Sequence, residues 1–260
     1  MSEKEPFPRE SIDKFMFSYD ELRDFLAFIK TIAEVGPLRG ANQAKGNYII
    51  LRQDIDLDFY PSYEVMKMQR ELEITSTFFV LTSSPTYNPQ TSRIRQMLRE
   101  MARDGFEIGL HFDPSVYGNV GNEVLAEKVK FESRILEDII GEPVTSIALH
   151  NPSLSGEYPQ FEGYLNAYSE YFFSDDRYIS DSMRVDPNLH PFRGKDPYEF
   201  IKNAKKFPLQ IVLHPEQFLK NGGYFPDTIN RYISDTENEI NRVYESALAA
   251  IRRDSLYDLK

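Results

Sequence analysis

Four short apolar runs, separated by stretches of helical periodicity, each end in ionisable residues, and this arrangement constrains the fold more than anything else in the chain. Three of them close on histidine: Phe106-Glu107-Ile108-Gly109-Leu110-His111, Ser146-Ile147-Ala148-Leu149-His150 and Leu209-Gln210-Ile211-Val212-Leu213-His214. The fourth, Tyr48-Ile49-Ile50-Leu51-Arg52-Gln53, runs into Asp54-Ile55-Asp56-Leu57-Asp58. Side chains alternate across a strand, so Arg52, Asp54 and Asp56 share one face and Ile49, Leu51 and Ile55 the other. Glu107, Gly109 and His111 oppose Ile108 and Leu110 in the same way, and Gln210, His214 and Glu216 oppose Leu209, Ile211 and Leu213. In a parallel barrel the apolar face packs against helices. The other face looks inward and ends at the C-terminal rim, where βα-loops build active sites.

The segments between these runs supply the helices such a barrel needs. Ser18-Tyr19-Asp20-Glu21 has the form of a capping box, and Leu22, Phe25, Leu26, Ile29 and Ile32 follow at helical spacing until Gly36-Pro37 stops the helix. Val65, Met66, Met68 and Leu72 mark a second helix, Thr77-Phe78-Phe79-Val80-Leu81 a further strand, and residues 92–103 a third helix. Leu125, Val129, Leu136 and Ile140 mark a fourth, which Gly141-Glu142-Pro143 ends. Four βα-like units in alternation imply a mainly parallel sheet with right-handed crossovers. In the irregular stretch 151–206, Tyr171-Phe172-Phe173 and Arg177-Tyr178-Ile179 are candidates for short strands. A strand at 209–213 and a helix over about 227–253 complete the pattern. One domain over residues 1–260 accounts for the length, with residues 1–10, polar and proline-bearing, expected to be loose.

Composition removes several classes. A formal net charge of −11 argues against a nucleic-acid surface, which needs clustered Lys and Arg. With no cysteine there is neither a disulfide framework nor a thiolate ligand, so any metal must be held by His, Asp or Glu. No run approaches the roughly 20 apolar residues of a membrane helix, and the opening residues lack a secretory pattern, so a cytoplasmic address is expected. There is no glycine-rich phosphate loop and no Gly-x-Ser-x-Gly elbow, which leaves P-loop and serine-esterase chemistry without support.

What remains is a set of carboxylates and imidazoles at strand ends. Asp54 and Asp56 together would repel unless a cation, a shared proton or Arg52 compensates. Such acids can also merely open a solvated loop or cap the next helix. A lone strand histidine is more often a satisfied structural residue than a ligand, but barrel geometry brings three equivalent strand ends together, which favours function for His111, His150 and His214. Asn151 and Glu216, next to two of these histidines, are candidates to contact substrate, as is Arg52. The aromatic segment 168–178 can stack on sugar rings or simply pack beneath a long loop. His190 carries no such argument.

These residues resemble motifs of the polysaccharide deacetylase superfamily, in the branch whose first strand reads Leu-Arg-His-Asp-x-Asp. The matching segments are Leu51-Arg52-Gln53-Asp54-Ile55-Asp56, Thr77-Phe78-Phe79-Val80, Gly105-Phe106-Glu107-Ile108-Gly109-Leu110-His111, Tyr178-Ile179-Ser180-Asp181-Ser182 and Ile211-Val212-Leu213-His214-Pro215, in family order over most of residues 47–216. The resemblance implies a distorted (β/α) barrel of about seven strands that removes acetyl groups from carbohydrates with one divalent cation, usually zinc. By position it implies Asp54 as general base, Asp56 and His111 as metal ligands, and His214 as the acid that protonates the leaving group.

The chain departs from that pattern at three places. Ser115, a poor zinc ligand, stands where the family has its second histidine; Gln53 replaces a histidine; and His150 occupies a strand end where the family places arginine. A rearranged triad of Asp56, His111 and His150 restores three protein ligands with an open position. The expected function is therefore metal-dependent deacetylation of an N-acetylated sugar or glycan precursor. The alternatives are a hydrolase of the same fold acting on another small group through a harder metal, and a catalytically inactive barrel that binds carbohydrate or a partner protein.

Overall fold

The computed structural model describes residues 16–182 and 190–257, so the expectation of a loose start at residues 1–10 falls outside it. Two compact units, residues 1–222 and 223–260, divide the chain, where the sequence pattern suggests one domain.

The first unit is an eight-stranded sheet flanked by helices, an α/β architecture with a curled, barrel-like sheet. Its strands are β1 (Glu34–Gly36), β2 (Tyr48–Ile55), β3 (Thr77–Leu81), β4 (Glu107–Phe112), β5 (Ser146–Leu149), β6 (Leu165–Asn166), β7 (Tyr178–Ser180) and β8 (Leu209–Leu213). Their order is β6-β5-β4-β3-β2-β8-β7, with β1 paired additionally to β2, and every pairing is parallel. The helices are α1 (Tyr19–Ile32), α2 (Tyr60–Glu71), α3 (Ser92–Arg103), α4 (Asn122–Ile140) and α5 (Pro197–Lys202). The capping box at α1 is present: Ser18 Oγ accepts from the Glu21 amide at 3.1 Å, and Glu21 Oε2 accepts from the Ser18 amide at 2.9 Å.

Alternation along the strands separates two cores. Ile49, Leu51 and Ile55 of β2, with Ile108 and Leu110 of β4, join the large core beneath the helices, which takes Leu98 from α3 and Leu136 from α4. On the inner face, Tyr48, Ile50, Phe79, Ala148, Ala167 and Phe172 form a second, smaller cluster. The inward face is thus largely apolar at its N-terminal half, where buried Glu107 accepts from Thr77 and the Arg39 amide, and it gathers its other ionisable groups toward the C-terminal rim. Gly109 permits this filling, because a Cβ there would lie 2.4 Å from Phe79 Cε1.

The sheet ends at β6 and β7, which do not pair with each other. Gln210, fully buried on the inner face of β8, spans part of that gap by donating from Nε2 to the Ala167 carbonyl at 2.9 Å. β1 and β6 have no counterpart among the sequence expectations, since strands of three and two residues show no periodicity. Tyr171-Phe172-Phe173 is a turn rather than a strand: the Phe172 and Phe173 amides donate back to Ser169 O at 3.0 and 2.9 Å.

The second unit is one helix, α6 (Phe225–Tyr257), longer at both ends than the expected 227–253. It leaves Ile233, Ile240, Val243, Tyr244 and Ile251 exposed. Among the described residues, no helix is long and apolar enough to cross a membrane.

Candidate functional site

Parallel pairing brings the C-terminal ends of β2, β4, β5 and β8 to one rim, and the ionisable residues of all four runs meet there. His111 pairs with Leu81 on one side and Ala148 on the other in the strand register. Its Nδ1 lies 3.0 Å from the Ala148 carbonyl, so Nδ1–H donates there and Nε2 presents its lone pair to the cleft. Nε2 sits 2.9 Å from Asp56 Oδ1, and His150 Nδ1 lies 3.3 Å from both of these atoms. Among the described residues, Asp56, His111 and His150 form the one group whose ligand atoms converge as a metal requires.

The donor set fits a cation. In the tautomer that Ala148 selects, His111 Nε2 and Asp56 Oδ1 are both acceptors, and two acceptors 2.9 Å apart need a positive charge between them. Their separations approach the roughly 3.3 Å edge of a tetrahedron whose ligands lie about 2.0–2.1 Å from zinc. Two imidazoles and a carboxylate form an N2O donor set of the catalytic-zinc type. Asn151, in the left-handed region at φ 46°, holds its side-chain amide 2.8 Å from His150 Nε2 and so fixes that ring from the outside.

The charges at the centre follow from this crowding. Burial works to raise the Asp56 carboxyl, but its close contacts with the His111 and His150 imidazoles and the nearby His214 outweigh it and hold the acid well below its usual range. For His150, burial opposes the charged form, and its contact with Asp56 reverses the balance and raises it. Burial also opposes a charge on His214, yet Asp181 beside it holds the imidazole well above its ordinary value. Glu216 is pushed up to about 8 by burial and by the Asp56 carboxylate.

Two groups flank the convergent triad. Asp54 lies on the same face of β2, its Oδ2 3.8 Å from His111 Nε2, and both its oxygens accept from Arg52, Nε and Nη2, at 2.6 Å. His214, at the end of β8, points Nε2 toward Asp56 Oδ2 at 3.6 Å, and its Nδ1 is hydrogen-bonded to Asp181 Oδ1. Asp181 also accepts from the His214 amide, at 3.0 Å, so one carboxylate fixes both ring and backbone.

Two of the three candidate substrate contacts lie outside the cleft lining. Arg52 is fully buried, clamped on Asp54, with its guanidinium 4.6 Å from the Tyr168 ring and 5.2 Å from that of Phe79. It positions a carboxylate and does not reach the cleft. Glu216 is likewise buried, and its Oε1 accepts from the Asp56 amide at 3.3 Å, beneath Asp56 rather than at the cleft surface. Asn151 does line the cleft. Ser115 contributes nothing to the centre, since its hydroxyl donates to Asp113 at 2.6 Å. His190 is a turn residue, its Nδ1 accepting from the Phe192 amide at 3.3 Å.

Sequence reasoning quoted Asp181 without giving it a role. The available signal was its place: it follows the short strand β7 just as Asp54 closes β2. The aromatic segment forms one wall of the cleft, where Tyr158, Tyr168, Phe173 and Tyr178 pack ring against ring at 4.8 to 6.2 Å.

No family model and no curated protein matches the chain. Among solved structures, it is similar to a chitin deacetylase from the fungal pathogen Colletotrichum lindemuthianum, at 11% identity and TM-score 0.46 over 72% of this chain and 81% of that one. It is similar to a variant of a peptidoglycan deacetylase from Bacillus subtilis, at 14% identity and TM-score 0.44 over 78% and 96% of the two chains. A CE4 family pseudoenzyme from Bacillus anthracis matches at 9% identity and TM-score 0.42 over 75% and 62%. The functional reading below rests on the geometry of the site rather than on these likenesses. The chain resembles polysaccharide deacetylases in its motif order, and the solved proteins it is similar to include chitin and peptidoglycan deacetylases.

Proposed function

We propose that the protein is a metal-dependent hydrolase that removes an acetyl group from an N-acetylated sugar or glycan precursor. The observation that carries this reading is the convergence of Asp56, His111 and His150 between two proton-handling groups, Asp54 and His214. A divalent cation held by the triad, with zinc favoured by the nitrogen-rich donor set, would polarise the acetyl carbonyl and acidify a water. Asp54, held as a carboxylate by the bidentate Arg52 contact, takes the proton from the attacking water. His214, kept protonated by Asp181, gives a proton to the leaving nitrogen. Tyr158, Tyr168 and Phe173 offer ring faces to the apolar side of a sugar, and Ser153, Ser180 and Ser182 offer hydroxyls. A cytoplasmic setting and a soluble sugar precursor are part of the same proposal.

The position of Ser115 favours a second reading, a barrel that binds carbohydrate without turnover, because the family's usual ligand is missing there. Metal content and acetate release separate the two. His111→Ala, His150→Ala and Asp56→Ala should each lose stoichiometric metal, whereas Asp54→Asn and His214→Ala should retain it and lose about 10²- to 10⁴-fold in acetate release from N-acetylated sugars. Full metal affinity in all three ligand variants would reject the assigned centre. Stoichiometric metal with no acetate from any sugar would favour the binding-only barrel.

A further inference from the structure

The cleft wall contains one cationic side chain that neither the metal centre nor acetyl chemistry uses. Arg193 is the single Lys or Arg among the described residues that line it, facing a wall that carries Asp54 and Asp56. Among the described residues no carboxylate pairs with its guanidinium. It lies instead over the ring of Tyr178, with Cζ 5.8 Å from the centroid. Tyr178 packs against Tyr168 at 6.2 Å, and the Tyr168 ring covers Arg52, which holds Asp54. A chain of contacts therefore runs from Arg193 to the candidate general base, and the guanidinium stands one aromatic layer from the reacting end of the cleft.

Its backbone is fixed in an uncommon conformation. Arg193 has φ 55°, in the left-handed region that a residue with a side chain adopts at a cost. The turn is held on both sides: Phe192 is fully buried against Phe17 and Phe25, the Gly194 amide donates to His190 O at 2.9 Å, and Lys195 Nζ donates to Asp175 O at 2.9 Å. The guanidinium thus stands on a pinned turn at the wall of a cleft whose other lining groups include hydroxyls, aromatic rings, the Asn151 amide, two carboxylates and the imidazoles of His111 and His214. A sugar bearing only hydroxyl and acetamido groups would leave that cation without a counter-charge.

We propose that Arg193 is a specificity residue for an anionic substituent, and that the substrate is an N-acetylated sugar carrying a carboxylate or phosphate. The inference rests on the deacetylase reading above and narrows it. A planar guanidinium binds either anion through paired N–H donors. A chain with a net charge of −11 does not attract anions by its overall field, so an anionic substituent needs a local cation, and Arg193 is the one in the cleft that neither the metal centre nor proton transfer employs.

The test compares three probes, N-acetylglucosamine, its 6-phosphate and its C6-carboxylate, by ligand-observed NMR on the zinc-supplemented protein, with zinc content measured on the same samples. The expected result is at least one anionic probe binding on the order of tenfold tighter than the neutral sugar, with the preference weakening at high salt. The more tightly bound of the two distinguishes phosphate from carboxylate. Arg193→Gln should abolish the preference while keeping zinc and the affinity for the neutral sugar, and Arg193→Lys should restore part of it. Equal binding of charged and neutral probes, a preference that survives Arg193→Gln, or no binding of any probe overturns the inference. Stoichiometric zinc in those same samples would leave the metal centre standing, and its absence would remove both.

Discussion

At the scale of single residues, Gln53 and Asp54 are neighbours with opposite fates. Alternation sends Asp54 into the barrel, where Arg52 satisfies it, and Gln53 toward the helices, where it is fully buried and neither side-chain amide atom has a hydrogen-bond partner among the described residues. A buried amide without partners costs about 1–3 kcal/mol. Gln53→Met keeps the volume and removes that cost, so it should raise the free energy of unfolding by about 1 kcal/mol in a denaturant titration, with zinc content unchanged. A loss of stability would show that an unseen partner satisfies the amide. Strand alternation made the sidedness of both residues readable from sequence, and it put Asp56 and His111 on the face whose ends meet at one rim. It could not show Arg52 turning back onto its own strand, because alternation gives a side chain's face and not its reach.

At the scale of elements, α4 carries a buried carboxyl that does not line the cleft. Glu132, buried on the face of α4 that packs against the sheet, accepts from Tyr117 Oη at 2.5 Å and from Thr82 Oγ1. Burial raises its pKa against the opposing effect of those two donors. A carboxyl whose pKa is higher in the folded state stabilises the fold fully below its unfolded value and loses that contribution as pH rises through the folded one. Unfolding free energy should therefore fall as pH rises above the ordinary carboxylate range, and Glu132→Gln should flatten that part of the profile. An unaltered pH dependence in the variant would show that Glu132 is ionised in the fold. The hydrophobic period of α4 was plain in the sequence, with Leu125, Val129 and Leu136 buried as expected. Glu132 was not, since it lies on that same face and a helical pattern read for apolar residues passes over it.

At the scale of the whole sheet, the two groups proposed to handle protons are built differently. Arg52 and Asp54 share strand β2, in the middle of the sheet between β3 and β8, whereas Asp181 reaches His214 from beyond β7, the outermost strand on that side. Asp181→Asn should keep metal and fold but lower acetate release, because an amide beside Nδ1 no longer favours the imidazolium. Full activity with metal retained would remove Asp181 from the acid's support. Strand order explains why the sequence could not pair these residues: 33 positions separate Asp181 from His214, and only the β7–β8 register brings them together.

The position of β7 has a consequence for how such a protein fails on warming. Edge strands open before central ones, and β7 is three residues long, with one flank lacking a strand partner. Its release would carry Asp181 away from His214 while Arg52 stayed clamped on Asp54 within β2. Heating would then silence leaving-group protonation before it disturbed the base or unfolded the sheet, so thermal inactivation and thermal denaturation would be two events at two temperatures.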